Sequence, residues 1–213
     1  MNYFVAGTDT NVGKTYFSSL LIRTLREAGQ DAVGMKPIAC GSNEDTGLLL
    51  TASGGDVSLS DLNPVHFENP VSPITASELE NRSVDVDEIL AAYQRLSSHH
   101  DSVIVEGVGG WQSPIQPNYT MADLAKSMGS PVIIVVANKL GALNHTLLTL
   151  ESIERFGLTC AGIVFNHPEN LTDIAAQTNR AVLQKITNVP FLCDLQTGQR
   201  ELPGILARLE AEA

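Results

Sequence analysis

The most informative chemistry in the chain lies between Gly7 and Thr15, which read Gly7-Thr8-Asp9-Thr10-Asn11-Val12-Gly13-Lys14-Thr15. An apolar run precedes this segment, and a stretch with apolar residues at Phe17, Leu20, Leu21 and Leu25 follows it. A glycine-rich turn between a strand and a helix turns backbone N–H groups toward phosphate oxygens, and the helix N-terminus adds partial positive charge. Asn11, Val12, Gly13, Lys14, Thr15 and Tyr16 are therefore the expected contacts to a nucleotide. Lys14 would reach the β- and γ-phosphates, and Thr15 would hold Mg²⁺ through its hydroxyl. Five residues, not the usual four, separate Gly7 from Gly13, and Thr8 stands where the first glycine of such a loop is ordinarily found. A turn that merely caps a helix is the plain alternative. Strand, loop, Gly-Lys-Thr and amphipathic helix all in register argue against it.

Phosphate chemistry also needs a cation and something to hold it. Mg²⁺ prefers one or two carboxylates together with phosphate oxygens. Glu106 ends the apolar run Ser102-Val103-Ile104-Val105, and Gly107, Gly109 and Gly110 beyond it let backbone approach a ligand. Asp45 opens a short predicted helix. Lys36, before Pro37 at the end of the second predicted strand, could stabilise charge on a transferring phosphoryl group or an anionic substrate. Each has a plainer reading: an acid or lysine at a strand end facing water, or an ordinary acid at a helix start. His66, His99, His100, His145 and His167 show no metal-ligand spacing and read mostly as surface or helix-end residues. Trp111 suits packing or a substrate wall equally well.

The elements that must carry these groups follow a repeated pattern of helix, glycine, short turn and apolar strand. It occurs at Glu27-Ala28-Gly29, Ser127-Met128-Gly129 and Arg155-Phe156-Gly157, where glycine can end a helix in the left-handed conformation. Strands are predicted over Tyr3 to Ala6, Ala32 to Ile38, Ser102 to Glu106, Val132 to Ala137, Thr159 to Phe165 and Val189 to Leu192. Their Val- and Ile-rich runs, with little alternation, suit strands covered on both faces. Besides the helix after Lys14, helices are predicted over Asp45 to Ala52, Val86 to Ser97, Met121 to Ser127, Leu143 to Phe156, Leu171 to Ile186 and Glu201 to Leu209. Residues 41–84, with Pro64, Pro70 and Pro73, read as an elaborated crossover. The alternation implies an α/β fold, a doubly wound, mostly parallel sheet with helices on both faces and its ligands beyond the carboxyl ends of the strands.

Composition bounds the partners. The 213 residues suit one domain, and 43% hydrophobic against 17% charged residues is a globular balance. Thirteen Lys and Arg against 24 Asp and Glu leave a net charge of -11, which argues against general affinity for nucleic acid or an anionic membrane. No apolar run is long enough to span a bilayer, and the N-terminus has no signal-peptide pattern. Cys40, Cys160 and Cys193 are odd in number and far apart, so the expectation is reduced thiols in a cytoplasmic compartment.

Taken together, these motifs resemble those of the dethiobiotin synthetase family. Gly-Thr-Asp-Thr-x-Val-Gly-Lys-Thr stands at 7–15, Lys-Pro-Ile at 36–38, Glu-Gly-x-Gly-Gly at 106–110 and Gly-x-x-Asn-His-Thr-Leu-Leu-Thr at 141–149. Asn166 closes an apolar strand where that family has an adenine-binding asparagine. The likeness runs from residue 3 to about 195 and implies a P-loop NTPase-like fold. It further implies Mg²⁺, ATP as co-substrate, 7,8-diaminopelargonate and CO₂ or bicarbonate as substrates, and a homodimer. On that resemblance Lys36, Lys14 and Thr10 are catalytic, and Thr15, Asp45 and Glu106 hold the metal. Gly107, Val108, Gly109 and Asn166 join the nucleotide contacts, and Thr10, Lys36, Cys40, Gly109 and Gly110 meet the substrate. Two departures mark this chain: Cys40 stands where the family often has a substrate-contacting serine, and Cys193 and Gln196 stand where a Gly and then a Pro are common in the adenine loop.

Two other readings compete. A switch ATPase of the chromosome-partitioning or division-site type usually carries a second lysine early in the loop, where this chain has Thr8 and Asp9. A relative that binds ligand without turnover would not need Lys14, Thr15, Lys36 and Glu106 intact.

Overall fold

The computed structural model describes residues 1–55, 57–167 and 174–211. Its centre is a six-stranded sheet in the order β10-β9-β8-β1-β5-β2, with every neighbouring pair parallel. In chain order the elements begin with β1 (Tyr3–Gly7), α1 (Lys14–Glu27), β2 (Ala32–Met35), β3 (Ile38–Cys40), α2 (Glu44–Ala52) and α3 (Leu59–Leu62). Then come β4 (Val65–Phe67), α4 (Pro73–Leu79), α5 (Val86–His99), β5 (Ser102–Glu106), β6 (Pro114–Gln116) and β7 (Tyr119–Thr120). The rest are α6 (Met121–Met128), β8 (Val132–Ala137), α7 (Ala142–Arg155), β9 (Cys160–His167), α8 (Ile174–Ile186), β10 (Phe191–Gln196) and α9 (Ile205–Glu210).

β1, β2, β5 and the body of β8 are buried end to end, which is the burial that their unbroken apolar runs predict. Phe4, Phe17, Leu20, Leu21 and Phe165 sit fully buried in the core between sheet and helices. α1 shows how the pattern works: Phe17, Leu20, Leu21 and Leu25 face inward at helical spacing, and Arg23 lies on the outside. The three glycines expected to end helices do so, with φ of 87° at Gly29, 65° at Gly129 and 71° at Gly157. Thr120 and Asp123 close a reciprocal capping box on α6.

Several boundaries differ from the sequence reading. The second strand stops at Met35 instead of Ile38. Pro37 has no N–H to give the ladder, and Lys36 N donates instead to Leu62 O at 2.7 Å. Ile38–Cys40 then pairs in parallel with Val65–Phe67 as a separate two-stranded sheet. The last strand starts at Phe191, just past Pro190, and runs to Gln196. The C-terminal helix begins at Ile205, after Pro203 and a left-handed Gly204. The start proposed for the helix at Leu171 lies outside the described residues, and the helix is seen from Ile174. α3, α4, the β3–β4 pair and the antiparallel β6–β7 pair were not expected.

The strand order decides where a ligand can sit. β1 is central; the chain moves from it to β2 at one edge, returns to β5 beside β1, and then crosses to β8 on the other side. The direction of winding therefore changes around β1, and a crevice opens there at the strands' carboxyl ends. The loop after β1 and the loop after β5 both emerge into that crevice, because Val5 and Glu106 are register partners.

Candidate active site at the carboxyl ends of the strands

Residues 8–13 form a tight turn between β1 and α1. Gly7 needs its hydrogen: a Cβ would lie 2.7 Å from Asp9 O and 2.9 Å from Lys14 Nζ. Asn11 and Gly13 both take left-handed backbone, with φ of 58° and 98°. Asn is among the few side-chain-bearing residues that tolerate this region, so the loop can curl at both places. The Lys14 ammonium folds back over the turn and donates to Gly109 O at 2.7 Å and Asp9 O at 3.2 Å. Burial, reinforced by the charge on Lys36, lowers its pKa to about 8 against the pull of Glu106, Asp45 and Asp9.

Opposite the turn is a charged cluster. Lys36 Nζ lies 2.6 Å from Glu106 Oε1 and 2.8 Å from Asp45 Oδ2. The Thr15 hydroxyl donates to the same Glu106 oxygen at 2.7 Å. Lys36 is 3% exposed and Glu106 0%, so neither is a strand-end residue pointing at water. Burial alone would push the Lys36 pKa down, but Glu106 and Asp45 outweigh it and hold the ammonium charged. Burial likewise favours neutral Asp45, yet Lys36 more than offsets it and keeps the carboxylate ionised. Asp45 arrives from the first turn of α2 and Glu106 from the last residue of β5, so two distant segments share one lysine.

A cavity of about 390 Å³ lies between turn and cluster. Its walls include Thr10, Asn11, Gly13, Lys14, Thr15, Tyr16, Lys36, Cys40, Asp45, Glu106, Val108 and Gly109, all expected from the sequence, and also Ala39 and Ser42, which were not. Ala39 and Ser42 come with the β3 excursion, where the sequence reading ran the second strand on to Ile38 and began the crossover at residue 41. Burial and nearby Glu80 push the Cys40 thiol up to about 11, with Lys36 opposing, so a protonated thiol faces the cavity.

The remaining predicted residues stand around it. Val12 is buried, and its carbonyl accepts from Asn166 Nδ2 at 3.0 Å. Gly107 does not line the cavity, and a Cβ there would meet the Phe4 ring at 3.2 Å. Gly110 and Thr10 line a second cavity of about 440 Å³, with Trp111, His145, Thr149 and Ser152 among its other walls. Trp111 is itself buried, edge-on to Phe4 and Phe156, with its indole N–H on Ser152 Oγ at 3.0 Å.

The site has the donor set of a hard divalent cation. Thr15, Asp45 and Glu106 present oxygens only, and Glu106 Oε2 is buried with no hydrogen-bond partner among the described residues. Two carboxylates and a hydroxyl suit an ion that takes its remaining oxygens from phosphate and water. Among the described residues no group of three or more His, Cys, Asp or Glu gathers to hold a metal unaided.

A Gly-Lys-Thr turn on the central strand of a parallel doubly wound sheet, with a carboxylate ending the adjacent strand, defines the P-loop NTPase class. The septum-site-determining protein MinD of Pyrococcus horikoshii, solved with Mg-ADP, shares that fold at a TM-score of 0.58 and 17% identity, over 100% of this chain and 86% of its own. Residues 1–199 match the family model described as an AAA domain. The chain is 48% identical over 198 residues to the ATP-dependent dethiobiotin synthetase BioD of Akkermansia muciniphila, covering 93% of each. It is 40% identical to that of Aromatoleum aromaticum, over 89% of this chain and 88% of the relative. The chain belongs to the dethiobiotin synthetase family.

Proposed function

We propose that the chain, as a single domain and within a homodimer, closes the cyclic urea of dethiobiotin from 7,8-diaminopelargonate, CO₂ and ATP. One amine of the diamine adds to CO₂ and loses a proton, giving a carbamate. A carbamate oxygen attacks the γ-phosphorus, forming a carbamic-phosphoric anhydride and releasing ADP. The second amine attacks the carbamoyl carbon, loses its proton and expels phosphate.

The observation that carries this reading is the pair of buried ammonium groups, Lys14 and Lys36, on one cavity with Glu106 and Asp45. The second step brings an anionic carbamate onto an anionic phosphate, so its transition state needs fixed positive charge in a water-poor site. Lys14 meets the phosphates from the loop. Lys36 faces the γ-phosphate and carbamate and acts electrostatically, not as a nucleophile. Thr10 and the backbone of Gly107 to Gly110 orient the carbamate, with Cys40 on the substrate side and Asn166 on the purine side. Thr15, Asp45 and Glu106 would hold Mg²⁺, which when bound neutralises phosphate charge. Three free cysteines fit a reducing compartment such as the cytoplasm.

The test is incubation of purified protein with the diamine, labelled bicarbonate, Mg²⁺ and ATP. Labelled cyclic urea, with ADP release that depends on the diamine, is the expected result. ADP release without diamine and without product would overturn the reading in favour of a switch ATPase.

A further inference from the structure

Lys36 already has partners, and they are the oxygens that our functional reading gives to Mg²⁺. Its ammonium contacts Glu106 Oε1 and Asp45 Oδ2, and Thr15 contacts the first of these as well. A divalent cation on those carboxylates would crowd an ammonium that is confined by burial, and like charges repel strongly where water is scarce. The ammonium cannot be left bare either, because a buried unpaired charge is costly. It must exchange one set of anions for another.

Its surroundings permit that exchange. The Lys36 backbone is fixed, its N–H on Leu62 O and its carbonyl accepting from Asn63 Nδ2, both at 2.7 Å. Movement is therefore confined to the side chain, whose end borders the open cavity. The ammonium lies 2.6 Å from Glu106 Oε1 and 2.8 Å from Asp45 Oδ2, so the exchange is of one ion pair for another.

We propose that Lys36 is a stand-in cation: it neutralises Asp45 and Glu106 in the nucleotide-free protein and is displaced onto the substrate anions when Mg²⁺-nucleotide loads. The lysine faces the γ-phosphate and carbamate only after the metal has taken its place. Phosphoryl transfer is thereby tied to a loaded site. This inference rests on the assignment of Asp45 and Glu106 to the metal.

Mn²⁺ alone, followed by electron paramagnetic resonance, probes the exchange without turnover. Nucleotide-free Lys36→Met should bind Mn²⁺ at least about tenfold more tightly than wild type, since the competing charge is gone. Adding Glu106→Gln should abolish that gain. Equal or weaker binding by Lys36→Met, or a gain that survives Glu106→Gln, overturns the proposal. Should Lys36→Met fail to fold, wild-type protein carrying lysine labelled with ¹³C at Cε supplies the answer. The Lys36 resonance, assigned by its absence from Lys36→Arg, should move on adding Mg²⁺ with a non-hydrolysable ATP analogue, but not with the analogue in EDTA. A resonance that stays still, or moves equally without metal, overturns it. Labelled dethiobiotin from wild type alongside an unmoved Mn²⁺ affinity removes this proposal and leaves the functional reading standing.

Discussion

Lys14 and Lys36 lie on one cavity, yet their surroundings move their protons in opposite directions, and that separates their roles. Among the described residues the direct partners of Lys14 are backbone carbonyls, and burial brings its pKa to about 8. On the proposed function phosphate sits against Lys14 and favours the charged form, so nucleotide binding should raise that pKa. Between the free and bound values binding takes up a proton, and affinity falls as pH rises through about 8. Calorimetry in buffers of different ionisation enthalpy should show this uptake in wild type and lose it in Lys14→Met; equal proton uptake in both would assign it to another group. Lys36→Ala should lower kcat by about 10²-fold or more, because it removes charge from the transition state, and should lower turnover more than it lowers nucleotide affinity. A loss confined to nucleotide affinity would move Lys36 out of the reaction. Cys40, held near 11, has almost no thiolate at neutral pH and should alkylate much more slowly with iodoacetamide than free cysteine, as read by mass spectrometry. At this scale the sequence was most legible: the loop, Lys36 and Glu106 are named by their positions at strand ends. What it could not disclose is pairing, since nothing in the spacing of residues 36, 45 and 106 says that one ammonium bridges both acids.

The elements explain why some boundaries were readable and others were not. Long buried strands and amphipathic helices announce themselves by period, and β1, β5, β8, α1, α5 and α7 fall within a residue or two of expectation. The β3–β4 pair, α3 and β6–β7 are two to four residues each, too short to display a period. The excursion through residues 36–79 matters all the same, because it carries Cys40 and Asp45 to the cavity. The turn before α1 shows how tightly such a device can be built. Gly13 has φ of 98°, and a Cβ would overlap the Asn166 amide that holds the Val12 carbonyl. Gly13→Ala should cost about 1–3 kcal/mol of stability through backbone strain alone. For a chain of this size each kcal/mol is about 2–4 °C in Tm, so calorimetric melting tests it. An unchanged Tm would mean that the turn relaxes freely and is not a rigid cradle.

Across the whole molecule, the scaffold and the chemistry separate. The same doubly wound sheet serves a division-site protein at 17% identity, so the fold locates a phosphate site without saying what receives the phosphoryl group. On the proposed function that choice falls to Lys36, just after β2, and Asp45 of α2, which meet Glu106 of β5 only when the sheet order is complete. A ligand that binds these groups thus binds the assembled sheet and not the unfolded chain, and must stabilise folding. At about a hundred times its Kd, an ATP analogue with Mg²⁺ should add about 2.7 kcal/mol, or about 5–10 °C in Tm. The analogue in EDTA at the same concentration should give a smaller shift, because the phosphates then face Asp45 and Glu106 without the metal. Glu106→Gln should bring the two shifts together, since it removes one of the two carboxylates. Equal shifts with and without Mg²⁺ in the wild type would place the metal away from β5, and the proposed role of Glu106 would go with it.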